Sequence, residues 1–394
     1  MKHDIAIAYP FPMHLSQGFT YHLSILQFAL ALSRRIPVFL ICLDTRSEIE
    51  ELVESQFDEK LPAALNVRTV ANRKFGIKSN TLWFRYGVRR IIRRLAPEYR
   101  RLAIYTRNVK LGAAIFSAKA RLPHNVICVF ESHQLFSQNL SCLFEFSRAR
   151  REFLMEQRLY SGCDLIFVNT SLLGKQIKRA FQKDSIVLPV GVRSVDLVDL
   201  SSLKSADYSA RTYDFVYAGS FDEWKGVEIF IEALSIISNK GWKGRAALIG
   251  LAEKDIPAWN LKLSNLGIAQ QVVLLPKSSK LQVNKILDQS RIGVIPNSLL
   301  DDSLWSTSPL KLFDYSARGL RLVVSTVPAI YADVNAPDIV WFKPDDPEDM
   351  ARGLIEAIQF GSEPSVGNYR WVNKYTWENR ADRVCGLMEK LNSD

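Results

Sequence analysis

The sequence predicts an α/β protein built from two tandem Rossmann-like doubly wound domains that face a central cleft. Short apolar runs typical of strands alternate with longer helical runs, and this alternation pauses once and then restarts. A chain of 394 residues is also long enough to bury two hydrophobic cores. Strands joined by helices form parallel sheets, whose ligands bind beyond the carboxyl ends of the strands. The expected binding site is therefore a cleft between the two domains.

The first domain is predicted over residues 1–190. Its first strand covers 5–9 and is followed by a loop at 10–18 and a helix at 19–34. The strand-like runs are short and apolar, which separates them from the amphipathic runs between them. Further strand-like runs fall at 38–43, 101–105, 125–130, 165–168 and 185–188.

The second domain is predicted over residues 213–374. The polar segment 191–212 interrupts the alternation and is interpreted as the linker between the domains. The alternation restarts with strands at 214–218, 246–249, 272–275, 293–296, 320–325 and 339–342, and with helices at 227–238, 281–289 and 349–359. The segment 375–394 contains an amphipathic helix that is expected to pack back on the first domain.

The composition of the chain indicates the charge of its partner and the cellular compartment in which it works. A net charge of +10 indicates an anionic partner. The five cysteines are scattered without a C-x-x-C pair, which argues against a disulfide framework or a thiolate zinc site and fits a reducing cytoplasm. The sequence leaves no room for a signal peptide before its first strand and has no apolar run near the ~20 residues that span a bilayer. We expect a cytoplasmic protein, with the inner membrane face as a further location.

One segment is unusually basic. Between residues 81 and 95, apolar side chains recur at roughly helical spacing and arginines form a stripe beside them. A basic amphipathic helix of this kind predicts contact with an anionic membrane, and nucleic acid is the rival partner, although no nucleic-acid-binding motif accompanies it. A surface helix whose apolar stripe belongs to the core is the other interpretation. The arginines are Arg85, Arg89, Arg90, Arg93 and Arg94.

The segment 308–319 combines a helix start with a cation. Ser308 is predicted to cap the helix, Pro309 to occupy its first position and Gly319 to end it. Lys311 and Asp314 lie three residues apart and therefore share a helix face near the N-terminus. Free N–H groups and a lysine there suit a phosphate, and a carboxylate one turn later suits a sugar hydroxyl. A capped amphipathic helix before a buried strand explains the segment equally well.

Three other positions carry candidate chemistry. Lys225 follows the turn at Gly219 and begins a helix, where the helix dipole disfavours a cation unless an anion binds beside it. Gly18 precedes the first helix and lets backbone N–H groups approach an anion, although an ordinary loop glycine is the simpler interpretation. Glu131 and His133 follow an apolar strand, where the histidine is either structural or able to bind a hydroxyl or move a proton.

Together these segments resemble the GT-B-fold glycosyltransferases of the large group 1 (family 4) class. The resemblance covers nearly the whole chain and is clearest in its second half. It implies transfer of a sugar from a nucleotide-diphosphate donor, a UDP- or GDP-sugar, to a glycan or lipid-linked acceptor, with retention, without metal and without a cofactor. The matching segments are 17–18, 131–133, 156–171, 189–192, 217–234 and 308–325.

The resemblance also implies roles for individual residues. The first domain would bind the acceptor, with His133 and Glu131 as the catalytic pair near the transferred sugar. The second would bind the donor: Lys225 and Lys311 at the diphosphate, and Asp314 at the ribose. The full set of implied donor-binding residues is Gly18, Gly219, Lys225, Leu275, Pro276, Ser308, Leu310, Lys311 and Asp314. The arginine-rich helix would form the membrane or acceptor surface.

Three positions depart from the family pattern. Asp314 replaces a glutamate, Ser306 stands where the family often has a second glutamate, and Ser220 stands where it often has an arginine. Asp301 or Asp302 would be the substitutes for the carboxylate that is missing at Ser306. These changes leave three alternatives open: an inverting GT-B glycosyltransferase, a sugar-nucleotide epimerase on a similar fold, and a non-catalytic GT-B-like binding subunit.

Overall fold

The chain divides into two units, one formed by residues 1–189 with 377–394 and the other by residues 190–376. The computed structural model describes residues 3–18, 20–71, 73–74, 77–78, 82–138, 146–300 and 304–391. The segment 191–212, predicted as the linker, contains a short helix and lies within the second unit. Leu203 and Tyr208 of this segment pack with Tyr369 in a small apolar cluster of the second unit.

The first unit contains a seven-stranded parallel sheet in the order β3-β2-β1-β6-β7-β8-β9. Its central strands are buried except near their first residues, as expected where helices cover both faces. A separate two-stranded antiparallel ribbon is formed by β4 (Arg73–Lys74) and β5 (Ile77–Lys78). The strands of the sheet are β1 (His3–Pro10), β2 (Val38–Cys42), β3 (Leu65–Thr69), β6 (Tyr99–Thr106), β7 (Val126–Ser132), β8 (Leu165–Val168) and β9 (Ile186–Val187).

Seven helices of the described chain belong to the first unit. They are α1 (Thr20–Ser33), α2 (Arg46–Phe57), α3 (Leu82–Leu95), α4 (Val109–Phe116), α5 (Phe146–Ser161), α6 (Ser171–Phe181) and the C-terminal α15 (Trp377–Lys390). Helix α15 packs on α1, where the rings of Phe28 and Trp377 lie 5.9 Å apart. Arg101 donates to the carbonyl of Glu389 at 2.8 Å, which satisfies an end of α15 that has no partner within the helix.

The second unit contains a six-stranded parallel sheet in the order β12-β11-β10-β13-β14-β15. Its core lies between this sheet and helices that include α8 and α13. The strands are β10 (Tyr213–Ala218), β11 (Ala246–Leu251), β12 (Val272–Pro276), β13 (Ser290–Ile295), β14 (Arg321–Ser325) and β15 (Ile339–Phe342). The helices are α7 (Leu200–Ser205), α8 (Val227–Asn239), α9 (Ile256–Asn265), α10 (Lys280–Leu287), α11 (Leu310–Ala317), α12 (Pro328–Tyr331), α13 (Pro347–Gln359) and α14 (Val366–Val372).

Each sheet has a switch point where the strand order reverses. It lies between β1 and β6 in the first unit and between β10 and β13 in the second. Loops beyond the carboxyl ends of the strands diverge at such a point and leave a crevice in which ligands bind. Among the residues that the structure describes, no helix is long and apolar enough to span a membrane.

Helix α11 begins later than the sequence predicted. Pro309, with extended backbone at ψ 115°, is the residue before the helix, and no side chain caps it. Ser308 therefore does not cap α11, because it lies one residue too early for its hydroxyl to meet the first free N–H groups. The predicted end is closer to the structure: Gly319 adopts a left-handed φ of 65° just after the helix.

Candidate functional site

Lys311 is the most unusual side chain at the switch point of the second sheet. It lies in the first turn of α11 and is only 8% exposed. Its Nζ atom lies 3.9 Å from the centre of the Tyr217 ring and, among the described residues, has no hydrogen-bond partner. Burial, with a contribution from the charge of Lys225, lowers its pKa well below the ordinary value. A buried ammonium without a partner is unfavourable by itself and favours binding of an anion.

The turn after β10 brings the chain close to that ammonium. Gly219 directly follows the strand, and a Cβ atom there would lie 3.2 Å from Nζ of Lys311. The N–H of Ala218 donates to the hydroxyl of Tyr315 at 2.7 Å, which ties α11 to the end of β10. Because the glycine leaves space beside the lysine, a ligand can approach the backbone and the cation together.

Lys225 ends a single 3₁₀ turn, Glu223–Lys225, before α8. Gly226 follows with a φ of 67°, and a Cβ there would lie 1.9 Å from the carbonyl oxygen of Pro296. Only glycine fits this close approach of the loops after β10 and β13. The Nζ atom of Lys225 lies 3.3 Å from the centre of the Trp224 ring. The structure therefore brings Gly219, Lys225 and Lys311 together at one switch point.

Asp314 is already engaged in an ion pair. Its Oδ1 atom lies 2.5 Å from Nζ of Lys280, and the two side chains are 23% and 12% exposed. Lys280 is the first residue of α10, which begins with a capping box between Ser279 and Gln282. Sequence analysis did not select Lys280; the S-x-x-Q spacing of that capping box was the signal for the helix start. One carboxylate oxygen of Asp314 is thus shared with a cation.

The remaining predicted donor residues of the second unit lie at two places, the end of β12 and the start of α11. Leu275 and Pro276 end β12, an edge strand, and are half-buried. Ser308 and Leu310 are half-buried around the start of α11. Ser220, at the family's arginine position, donates to Asp222 at 2.6 Å. The proposed substitutes Asp301 and Asp302 lie outside the described residues.

Glu131 lies at the centre of a buried charged cluster in the first unit. Its carboxylate is fully buried and meets Nη2 of Arg107 at 3.0 Å and Nη2 of Arg380 at 2.7 Å. The hydroxyl of Tyr105 donates to its other oxygen. The two arginines outweigh the effect of burial and hold the pKa of Glu131 well below its ordinary value. This carboxylate has no exposed surface and would reach a substrate only through His133; the catalytic role predicted from the sequence stays a prediction.

His133 is the accessible member of this cluster, with 26% of its side chain exposed. Its Nε2 atom lies 2.7 Å from Oε1 of Glu131, and burial lowers its pKa below the ordinary value, against the opposing effect of Glu131. An ionised carboxylate only accepts hydrogen bonds, so the neutral ring carries its proton on Nε2 and offers the lone pair of Nδ1. The Tyr21 ring packs edge-on against it, with ring centres 5.9 Å apart.

Gly18 lies in the loop after β1, at the switch point of the first sheet. It follows the short turn Leu15–Gln17 and adopts a left-handed φ of 62°. The buried carboxylate of Asp44 holds this loop by accepting from the N–H of Leu15 at 2.7 Å and the hydroxyl of Ser16 at 2.6 Å. Asp44 was missed by sequence analysis because its partners lie about thirty residues away in sequence.

The arginine-rich helix α3 has two faces. Phe84, Val88, Ile92 and Leu95 are buried in the core, so the apolar stripe is structural. Arg89 donates to the carbonyl of Ala114 at 2.8 Å and is therefore partly structural as well. Arg90, Arg93 and Arg94 are exposed and Arg85 is half-buried. Tyr86 is 55% exposed and Leu82 50% exposed on the same helix.

The described ranges contain no group of three or more His, Cys, Asp or Glu side chains placed to hold a metal ion. The candidate site in the second unit is instead cationic, through Lys225 and Lys311. Its chemistry is that of an anion site beside a glycine turn.

Residues 212–359 match the family model described as Glycosyl transferases group 1. The match spans β10 to α13 and therefore includes Gly219, Lys225 and Lys311. No curated protein sequence is significantly similar to the chain.

Solved structures share the fold at low sequence identity. A sucrose-phosphate synthase from Thermosynechococcus elongatus superposes with a TM-score of 0.72 and 12% identity over 98% of each chain. Anabaena Alr3699/HepE in complex with UDP-glucose gives 0.68 and 14% identity, over 98% of this chain and 99% of that one. WaaG, a glycosyltransferase involved in lipopolysaccharide biosynthesis, gives 0.64 and 13% identity, over 98% and 100%. The fold of the chain is that of GT-B proteins.

Proposed function

We propose that this chain, which has the GT-B fold, is a group 1 glycosyltransferase. It moves a hexosyl unit from a nucleotide-diphosphate donor to a glycan or lipid-linked acceptor. The observation that carries the proposal is the buried ammonium of Lys311, which has no hydrogen-bond partner in the described chain and lies in the matched segment. A diphosphate supplies the missing negative charge.

Lys225 and Lys311 are proposed to neutralise the diphosphate. A lysine acts as a point charge on phosphate oxygens, and two of them offset the charge that develops on the leaving nucleotide, so no metal or cofactor enters the proposal. The N–H groups at the start of α11 add a partial positive charge. The donor is proposed to be a UDP- or GDP-sugar; a structurally similar protein, HepE, has been solved with UDP-glucose.

Asp314 is proposed to accept a hydrogen bond from the ribose. Because Lys280 occupies one of its oxygens, the other oxygen remains for a hydroxyl. Leu275, Pro276, Ser308 and Leu310 are proposed as further donor contacts at the ends of β12 and the start of α11.

His133 is proposed to accept a hydrogen bond from a sugar hydroxyl through Nδ1. The neutral ring has one donor, which Glu131 takes, so the group that meets the substrate is an acceptor. The proposed reaction retains the anomeric configuration, with the leaving phosphate helping to take the acceptor proton. Gly18 is proposed to line the phosphate side of the site.

The acceptor is proposed to be presented at an anionic membrane on its cytoplasmic face. Arg90, Arg93 and Arg94 are exposed on α3 beside Tyr86, an arrangement typical of interfacial helices. Replacing these three arginines by glutamate is expected to abolish binding to vesicles that contain anionic lipid. Arg100, which is exposed after the helix, offers a single-charge control. Unchanged sedimentation with vesicles would remove the membrane from the proposal.

The function is tested by a thermal-shift screen with UDP, GDP, ADP and their sugars. One nucleotide family is expected to raise the unfolding temperature, and Lys225→Ala and Lys311→Ala are expected to remove that rise. The same variants should lose sugar transfer. A chain that no nucleotide diphosphate stabilises would point instead to the non-catalytic binding subunit.

A further inference from the structure

One arginine of the C-terminal helix α15 is buried in the interior of the first unit. The side chain of Arg380 is 3% exposed, and its Nη2 atom donates to Oε1 of Glu131 at 2.7 Å and to the carbonyl of Leu188 at 3.3 Å. The guanidinium carbon lies 4.4 Å from the centre of the Phe28 ring. A cationic side chain is costly to bury unless an opposite charge and hydrogen-bond acceptors compensate it, and here the carboxylate of Glu131 and the carbonyl of Leu188 do so.

Arg380 and His133 meet on the same atom. Nε2 of His133 and Nη2 of Arg380 each lie 2.7 Å from Oε1 of Glu131, and Nη2 of Arg107 lies 3.0 Å from it. The ring orientation of His133 therefore depends on a carboxylate that two guanidinium groups hold in place. Removing one of these guanidinium groups leaves the carboxylate free to move or to accept a hydrogen bond from a different donor.

The charges around His133 do not balance. Glu131 from β7 carries one negative charge, whereas Arg107 beyond β6 and Arg380 from α15 carry two positive charges. The other titratable groups that face the cluster are the hydroxyls of three tyrosines on β1, β6 and α1: Tyr9, Tyr105 and Tyr21. Tyr9 and Tyr105 are fully buried and Tyr21 is 39% exposed, and the pKa of each is raised, so all three stay neutral. The cluster therefore carries a net positive charge before the imidazole gains a proton, and a second positive charge is disfavoured.

We propose that Arg380 is a positioning residue for His133: by holding Glu131, the C-terminal helix fixes the imidazole as its Nε2–H tautomer and keeps it neutral, so that Nδ1 is an acceptor. That His133 meets a sugar hydroxyl rests on the proposed function. The tautomer and charge of the ring do not, and they are properties of the protein without substrate.

The direct test is NMR of the histidine ring nitrogens in the full chain, with His133→Gln used to assign the signal. The wild-type ring is expected to remain an Nε2–H tautomer at pH 6. In Arg380→Met the apparent pKa of His133 is expected to rise by about one unit or more, the size of shift that a neighbouring charge produces. Arg380→Lys, which keeps the charge, is expected to stay near wild type.

Asp382→Asn is the matched control, because Asp382 lies on the same helix in an exposed pair with Arg35. It should leave the titration of His133 unchanged. Arg380→Gln is the second neutral variant and keeps a donor for the carbonyl of Leu188. A folded Arg380→Met or Arg380→Gln protein whose His133 tautomer and titration match wild type would overturn the proposal.

Activity separates this proposal from the proposed function. If the chain transfers a sugar, the acid limb of its kcat profile should move to higher pH in Arg380→Met, with KM for the donor changing less than threefold. A nucleotide screen that shows no ligand, together with the expected NMR shift, would refute the transferase assignment and leave the role of Arg380 standing. Sugar transfer with no NMR shift would refute only the role of Arg380.

Discussion

Replacing Lys311 by methionine should change the stability of the ligand-free protein and its nucleotide affinity in opposite directions. Among the described residues the buried ammonium has no hydrogen-bond partner, so a methionine of similar shape removes an unfavourable charge. Ligand-free Lys311→Met should therefore unfold at the same temperature as wild type or higher. The folded pKa of Lys311 lies below the unfolded value, so the gain should be present at neutral pH and disappear as the pH approaches 10.5.

The loss of affinity follows from the same geometry. A hydrogen bond to a charged group contributes about 1.5–3 kcal/mol, which corresponds to roughly 10- to 150-fold in Kd. With nucleotide at about 100 times the wild-type Kd, ligand binding stabilises the protein by about 2.7 kcal/mol, and 30-fold weaker binding reduces this to about 0.9 kcal/mol. For a unit of this size the ligand-induced rise in unfolding temperature should fall from about 5–11 °C to about 2–3 °C.

Differential scanning fluorimetry with and without UDP measures both effects in one experiment, with GDP used instead if the screen selects it. Lys240→Met is the matched control, because the side chain of Lys240 is 58% exposed in the same unit and should leave both temperatures within about 1 °C. A Lys311→Met protein that unfolds several degrees lower without ligand, or that keeps the full ligand-induced rise, would refute the assignment of Lys311 as the diphosphate cation.

Two further predictions concern the scaffold. Gly226→Ala should lower the free energy of unfolding by more than about 2 kcal/mol, since a Cβ there would lie 1.9 Å from the carbonyl oxygen of Pro296. Gly241 also has a positive φ but has open space around it, so Gly241→Ala should lower the free energy of unfolding by only about 1 kcal/mol. Equal urea midpoints for the two variants would contradict this prediction. Burial raises the pKa of Glu156 to about 7, so the free energy of unfolding should fall as the pH rises from about 4.5 to 7. Glu156→Gln should make the free energy of unfolding less dependent on pH over this range. Parallel curves of unfolding free energy against pH for the two proteins would contradict this role of Glu156.

Local patterns in the sequence carry most of the fold. The strand at 214–218 and the helix at 227–238 differ from β10 and α8 by about one residue, because alternating burial and glycine turns are local properties. The prediction that Ser308 caps the helix was wrong. A serine followed by proline is typical of a helix start with the proline as first helical residue, but here the helix starts one residue later, after Pro309. The segment 191–212 has the composition of a polar linker. Leu203 and Tyr208 within it pack against Tyr369, which is far away in sequence, so the sequence does not reveal this contact.

The candidate site was predictable only in part, for a physical reason. Lys225 and Lys311 each carry a local signal, a cation at a helix start where the dipole disfavours it. No local sequence signal marks the partners of Glu131 and Asp314. Arg380 lies 249 residues from Glu131, and Lys280 pairs with Asp314 from another helix. Sequence analysis therefore selected Glu131 as catalytic without foreseeing its full burial and its contact with His133.

The most direct test of the central claim is a crystal structure of the chain soaked with UDP, or with whichever nucleotide diphosphate the screen selects. The account predicts that diphosphate oxygens lie about 2.7–3.2 Å from Nζ of Lys311, beside the turn at Gly219 and within reach of Lys225. Nucleotide bound elsewhere, or a diphosphate whose oxygens avoid Lys311 while that ammonium remains buried and unpaired, would contradict it.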